Sequence, residues 1–170
     1  MSQKDYVGTD QTIRKTLIYN QTDLYKYFLK WFEQRHYDTI ETEYDEKILA
    51  TGEKKINWRW IPEKKVEYYV KIIIDFRFEA KTKDVMVETS KGTKKKLQEG
   101  TVEGKFRAYI DRDVEDDWQL NKEHPTKRLL REMYDKLISK KKMSKYEDEL
   151  KQDMKNIMDD FRNYVKTHKY

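Results

Sequence analysis

Apolar and polar residues alternate with a period of two through much of the first 111 residues, which is typical of β-strands with one buried face. The first such segment spans 11–19, whereas 1–10 is polar and is predicted to be a loose N-terminal segment. The alternation then recurs several times between 37 and 111. On its apolar side lie seven large residues: Trp58, Trp60, Ile72, Ile74, Phe76, Phe106 and Ile110.

Helical spacing of apolar residues appears on either side of this region. Leu24, Phe28 and Trp31 recur three or four positions apart, which predicts a helix that runs to about Arg35 and is capped by a polar residue at 22 or 23. Two further apolar stripes follow Pro125. A capping-box spacing at 144–147 favours a break between two C-terminal helices, although the lysine run before it leaves one continuous helix open.

The predicted order of elements is β-α-β-β-β-β-β-α-α, with hairpin turns at Gly52, Gly92 and Gly100 and a separate short strand at Val85 and Val87. Pro62 indicates a strand end or a sheet edge. This order predicts an α+β fold, in which a curved antiparallel sheet of about five to six strands is covered on one face by helices. The order, but no motif, resembles helix-grip folds in outline.

Composition narrows the class of protein. The chain has 170 residues, 41% of them charged and 36% hydrophobic, with 13 Tyr and no Cys. The aromatic content predicts one folded domain over 11–170 despite the high charge. The absence of cysteine excludes disulfides and thiolate chemistry. Since no long apolar stretch or secretory signal is present, we expect no membrane span and a cytoplasmic protein, with a composition also typical of thermophiles.

Catalytic motifs are missing from the sequence. It contains no P-loop, dinucleotide fingerprint or nucleophile elbow, and the three histidines do not have metal-ligand spacing. The acidic segment 111–117 begins with the spacing of a calcium loop but has Asp116 where that loop needs glycine. A solvated loop is favoured, while an irregular divalent-ion or hydrolytic site stays open. Its carboxylates would be Asp111, Asp113, Glu115 and Asp117. We therefore expect no cofactor and no metal site, and a non-enzymatic protein is favoured over an enzyme that uses these carboxylates.

The aromatic inner face has two interpretations. Its seven residues line a cavity for a small apolar ligand, or they form a solid core, which is what buried tryptophans most often do. The pattern favours the solid core. The first functional hypothesis is accordingly a non-enzymatic binding or interaction module, for a protein partner or a small apolar ligand.

The positive charge suggests a second hypothesis. Residues 121–170 hold 14 Lys and Arg against 9 Asp and Glu, so they carry the whole net charge of +5. A basic binder of nucleic acid or the ribosome would use this region and a lysine-rich hairpin. Its candidate residues are Lys94, Lys95, Lys96, Lys127, Arg128, Arg131, Lys140, Lys141, Lys142 and Lys145. Acidic residues interleave with the basic ones of 121–170, which favours solvated charge instead: Glu147, Asp148, Glu149, Asp159 and Asp160.

Overall fold

The computed structural model describes residues 2–67, 70–113 and 125–167. The elements are β1 (Ser2–Tyr19), α1 (Gln21–Gln34), β2 (Asp38–Ile48), β3 (Lys54–Glu67), β4 (Val70–Glu88), β5 (Lys94–Asp113) and α2 (Pro125–Thr167). The strands form one curved antiparallel sheet in the order β1-β5-β4-β3-β2, so β1 and β2 are its edges. The predicted α+β class with a curved antiparallel sheet is confirmed. None of the described helices is both long and apolar enough to cross a membrane.

The N-terminal segment is a strand rather than a loose tail. β1 begins at Ser2, which pairs with Asp113, and the pairing with β5 continues to Tyr19. The prediction for residues 1–10 was wrong for 2–10 because it used only the polarity of the side chains. An edge strand is stabilised by backbone hydrogen bonds, and its side chains can face water.

Two predicted interruptions of the sheet are also absent. Val85 and Val87 belong to β4, which pairs with β5 without a break from Val70 to Glu88. Gly100 lies inside β5 instead of at a turn. A glycine inside a strand often marks a close approach of backbones, and the sequence pattern does not separate this case from a turn. The turns at Gly52 and Gly92 are confirmed, with φ of 83° and 77°.

Pro62 lies within β3, an interior strand, and not at a strand end or a sheet edge as predicted. It pairs with Thr39 of β2 on one side. On the other side, the described ladder to β4 skips from Trp60 to Glu63 while keeping the same register. The missing amide hydrogen of proline is thus accommodated by a local gap in the ladder.

The C-terminal region is one helix of 43 residues, so the predicted break between two helices was wrong. No glycine or proline interrupts the chain after Pro125 within this helix. Met143 and Tyr146, on either side of Ser144, both pack against the core. Good helix-forming residues and this shared packing outweigh the local capping signal.

Helix α1 shows the predicted buried stripe, formed by Leu24, Phe28, Trp31 and Phe32. Its cap is Asn20, whose side chain accepts a hydrogen bond from the Asp23 amide. The helix ends at Gln34, and His36, two residues later, has a positive φ of 62°. There the His36 amide donates to the Glu33 carbonyl and the Tyr37 amide donates to the Phe32 carbonyl, each at 3.0 Å. This is the Schellman pattern, with histidine at the position where glycine is preferred.

Replacing His36 with glycine should therefore stabilise the protein. A left-handed backbone costs a residue with a Cβ about 1–2 kcal/mol, and the greater chain entropy of unfolded glycine offsets part of the gain. We expect His36→Gly to raise the free energy of unfolding by about 0.5–1 kcal/mol in urea denaturation. His36→Ala is the control, since it keeps the Cβ. Equal stability of the two variants would show that backbone strain at this position is negligible.

Candidate binding groove between the sheet edge and helix α2

The seven residues predicted to form either a cavity or a core lie together on the concave face. Each is at most 1% exposed. Phe28 of α1 and Phe161 of α2 fill the space above them, with ring centroids 5.9 Å from Phe76 and Phe106 respectively. Phe76 and Phe106 also stack on each other at 4.8 Å. Aromatic side chains of the protein thus occupy the space that an apolar ligand would need, which supports the solid-core interpretation.

The basic residues predicted to bind nucleic acid lie at two separate places. Lys94 and Lys95 are exposed at the start of β5, opposite the end of β4, and Lys96 pairs with Asp84. Lys142 of α2 instead pairs with Glu67, next to the other end of β4. At about 3.3 Å per residue, the length of β4 separates these sites by several tens of ångströms along the strand. The structure therefore does not join the hairpin and the helix into one basic surface.

The other predicted basic residues belong to α2. Lys140, Lys141 and Lys145 are exposed on its surface. The backbone of Lys127, Arg128 and Arg131 lies in the first two turns of this helix, and their side chains are outside the described part of the structure.

The acidic segment is only partly described. Asp111 lies in β5, where its cross-strand neighbours are Lys4 of β1 and Lys71 of β4. Asp113 ends the strand, whereas Glu115 and Asp117 lie outside the described residues. Within the described ranges, no group of three or more His, Asp or Glu side chains has the geometry to hold a metal ion.

The convex face of the sheet, opposite the helices, carries charges that pair across strands. Arg59 donates two hydrogen bonds to Asp75, at 2.9 and 2.8 Å, and Asp75 is only 6% exposed. These bonds raise the pKa of the Arg59 guanidinium. Arg107 similarly holds Asp10 and keeps the pKa of that carboxyl below its usual range. Cations on this face are neutralised by neighbouring strands, so it has little net attraction for a charged partner.

The least regular part of the sheet is a bulge in β1. Its pairing with β5 runs to Val7 opposite Ala108 and resumes at Gln11 opposite Phe106, so β1 contains two extra residues there. Gly8 has a φ of 72° within this bulge. β1 is also an edge strand, and in the described part of the chain no other strand pairs with its outer side. The bulge therefore presents a distorted, unpaired stretch of backbone.

Helix α2 lies beside this bulge and leaves a groove of about 330 Å³. Its floor is apolar: Val7 of β1 and Met154 and Met158 of α2 are each only 8% exposed. Lys151, Lys155 and Arg162 of α2 form the rim. On the strand side a Cβ added to Gly8 would meet no atom within 4 Å, so the groove is open there.

The rim is cationic because most of its charge has no local partner. Arg162 is bonded to Asp159 at 3.1 Å. Lys151 and Lys155 are exposed, and among the described residues neither forms an ion pair. The helix side from Lys151 to Arg162 is about 16 Å long, which is about the length of five extended residues. The groove thus has the length, the apolar floor and the charge to accept a short anionic strand.

Sequence reasoning did not identify this site. Its two halves, Val7–Gln11 and Lys151–Arg162, are far apart along the chain and meet only through the sheet register and the docking of α2. Two local signals were present. Gly8 lies shortly before the predicted strand 11–19, where a glycine can mark a bulge, and methionines beside lysines on one helix face are typical of adaptable binding surfaces.

No family model matches the chain. No curated protein matches it in sequence.

Proposed function

We propose that this protein is a non-enzymatic interaction module that binds an extended, acidic segment of a protein partner, with apolar side chains among its acidic ones. The segment would lie in the groove between the β1 bulge and α2. The observation that carries this proposal is the combination of an unpaired sheet edge, a methionine floor and a lysine rim along one groove.

The backbone of β1 supplies the first part of the recognition. An exposed sheet edge offers amide and carbonyl groups in a row, and an added strand satisfies them whatever its sequence. The open space at Gly8 lets another backbone come close at the bulge. Backbone pairing of this kind gives affinity, and the groove beside it gives selectivity.

The side chains of α2 supply that selectivity. Met154 and Met158 have flexible, polarisable side chains that adapt to different apolar residues. Lys151 and Lys155 favour carboxylates on the same segment. The combination selects a strand in which apolar and acidic residues alternate, because successive side chains of a strand point to opposite sides.

A small apolar ligand is less well supported than a protein segment. The concave face is filled by rings from both helices, and the groove floor is bordered by charged side chains. A ligand without charge would leave the rim lysines unpaired, and a ligand confined to the groove would leave the β1 edge unused.

The test is the affinity of a fluorescein-labelled peptide with alternating Glu and Val residues, measured by fluorescence anisotropy. We expect wild-type protein to bind it and Lys151→Glu/Lys155→Glu to lose affinity about tenfold or more, since two attractive charges become repulsive. Lys26→Glu/Lys30→Glu is the matched control, because it reverses two exposed charges with the same spacing on α1. Its affinity should stay within about twofold of wild type.

Two outcomes would count against the proposal. The first is equal weakening by the groove variant and the α1 variant, which would show that only overall charge matters. The second is unchanged binding of a peptide with N-methylated backbone amides, since such a peptide cannot pair with a strand edge. Binding of a fatty acid in place of the peptide would favour the small-ligand interpretation.

A further inference from the structure

The first half of helix α2 extends past the part that packs on the sheet. Its core-facing stripe is buried at Leu150, Ile157 and Phe161. Nearer the N-terminus, Leu129 and Met133 are 60% and 55% exposed. The core that covers the second half of the helix therefore leaves these two apolar side chains exposed. We call residues 125–145 the basic arm.

The charge of α2 divides between these two halves. The basic arm holds eight Lys and Arg against two Asp and Glu, which gives +6. Residues 146–167 hold four against six, which gives −2. The half that packs on the sheet is thus slightly acidic, and the positive charge of the C-terminal region is concentrated on the arm.

Five lysines crowd the end of the arm, with no acidic residue between the first and the last of them: Lys136, Lys140, Lys141, Lys142 and Lys145. All five are exposed. At about 100° per residue they spread over about two thirds of the helix circumference. Lys142 pairs with Glu67. For Lys140, Lys141 and Lys145, no carboxylate of the described residues lies within ion-pair distance.

We propose that the basic arm is a second binding site, which takes the phosphate backbone of nucleic acid. Lysines distributed around a helix attract the closely spaced phosphates of a polynucleotide and release its bound counterions. Lys140, Lys141 and Lys145 have no ion-pair partner among the described residues, which separates them from the arginines of the convex face that Asp75 and Asp10 hold. Binding of this kind is sensitive to salt and tolerant of sequence.

The distribution of lysines favours nucleic acid over a membrane surface. A helix that lies on a bilayer needs one continuous apolar face. On the arm, the helical period places Lys136 and Lys140 on the same face as Leu129 and Met133. A second apolar face, with Leu130, Leu137 and Ile138, ends at Lys141 and Lys145, which follow on the same side of the helix. Both apolar faces of the arm are thus interrupted by lysine within about three turns.

The experiment titrates the full chain against labelled RNA and duplex DNA of about 20 nucleotides, at salt concentrations from about 50 to 300 mM. The test variant is Lys140→Gln/Lys141→Gln/Lys145→Gln. The matched control is Lys30→Gln/Lys55→Gln/Lys91→Gln, which removes the same charge from exposed lysines elsewhere. We expect the arm variant to lose affinity about tenfold or more at low salt, and the slope of log K against log salt to fall by about two.

The control variant should keep most of the affinity. Tighter binding of one of the two polymers would identify RNA or DNA as the source of the phosphates. Equal losses in the two variants, absence of binding by wild-type protein at low salt, or binding to anionic vesicles without binding to either polymer would overturn the proposal. Circular dichroism checks that the variants fold. Peptide binding tests the groove, and nucleic-acid binding tests the arm. If only the arm proposal fails, the groove variant Lys151→Glu/Lys155→Glu should still lose peptide binding, so the two proposals are tested separately.

Discussion

The Gly100→Ala variant is expected to lose about 3 kcal/mol or more of folding free energy. A Cβ at this position would lie 2.0 Å from the Lys81 carbonyl oxygen and 2.7 Å from the Thr82 Cα. Both atoms belong to the backbone of β4, which cannot move aside without disturbing its ladder with β5. Overpacking of a rigid site costs about 1–3 kcal/mol, and a clash with backbone atoms lies at or above that range. Urea denaturation followed by circular dichroism measures the loss.

Gly104→Ala is the matched control in the same strand. Its Cβ would meet Phe106 and Phe161 ring atoms at 3.2 Å, and rings can shift by a few tenths of an ångström. We expect a loss of about 1 kcal/mol for this variant. A Gly100→Ala protein as stable as Gly104→Ala would show that β4 and β5 are further apart at this point than the structure places them.

Phe161→Ala is expected to destabilise the protein by about 3–5 kcal/mol. Its ring is fully buried and lies 5.4 Å from Phe28 and 5.9 Å from Phe106. Removing the ring deletes one of the contacts between α2 and the concave face and leaves a cavity that these neighbours cannot fill. Chemical denaturation gives the loss of stability. The new cavity is apolar, so the variant should also bind benzene, which wild type should not.

Phe161→Leu provides the comparison, because it keeps most of the apolar volume and should cost about 1.5 kcal/mol or less. If Phe161→Ala were nearly as stable as wild type, the ring would be dispensable. The concave face would then be loosely packed, as a ligand-binding cavity requires, and the solid-core interpretation would be wrong.

Local periodicity was sufficient for much of this fold. The stripe of α1 and the alternation along β3, β4 and β5 follow directly from which side chains must be buried. The errors arose where a non-local interaction determined the structure. Residues 2–10 are strand because β5 pairs with them, and α2 continues through Ser144 because the residues on both sides pack on the same core. Neither the pairing with β5 nor the packing on the core can be predicted from the residues next to these segments.

The candidate groove was beyond sequence reasoning for the same reason. A bulge at Gly8 and a lysine–methionine face around Lys155 are each common features with many meanings. They become a site only because the register of β1 on β5 and the docking of α2 bring them to one edge of the sheet. The sequence alone shows that lysine is concentrated on the arm. The distance between the arm and the hairpin lysines Lys94 and Lys95 follows only from the sheet topology.

The two proposed sites use different parts of one helix. The half of α2 that packs on the sheet contributes the groove rim at Lys151 and Lys155, and the N-terminal half contributes the arm that ends at Lys145. A rigid helix of 43 residues is about 65 Å long, so it would hold a protein segment and a polyanion at a fixed separation. The mainly packed interior would then serve to fix this geometry.

The most direct test of the account is an NMR titration of isotope-labelled protein with the alternating Glu and Val peptide. The amides of Gly8 and Thr9 and the methyl groups of Met154 and Met158 should shift as the peptide binds. The methyl groups of three buried isoleucines should keep their positions: Ile72, Ile74 and Ile110. Shifts of these core methyl groups, or none in the groove at saturating peptide, would contradict a solid interior with its binding surface at the sheet edge.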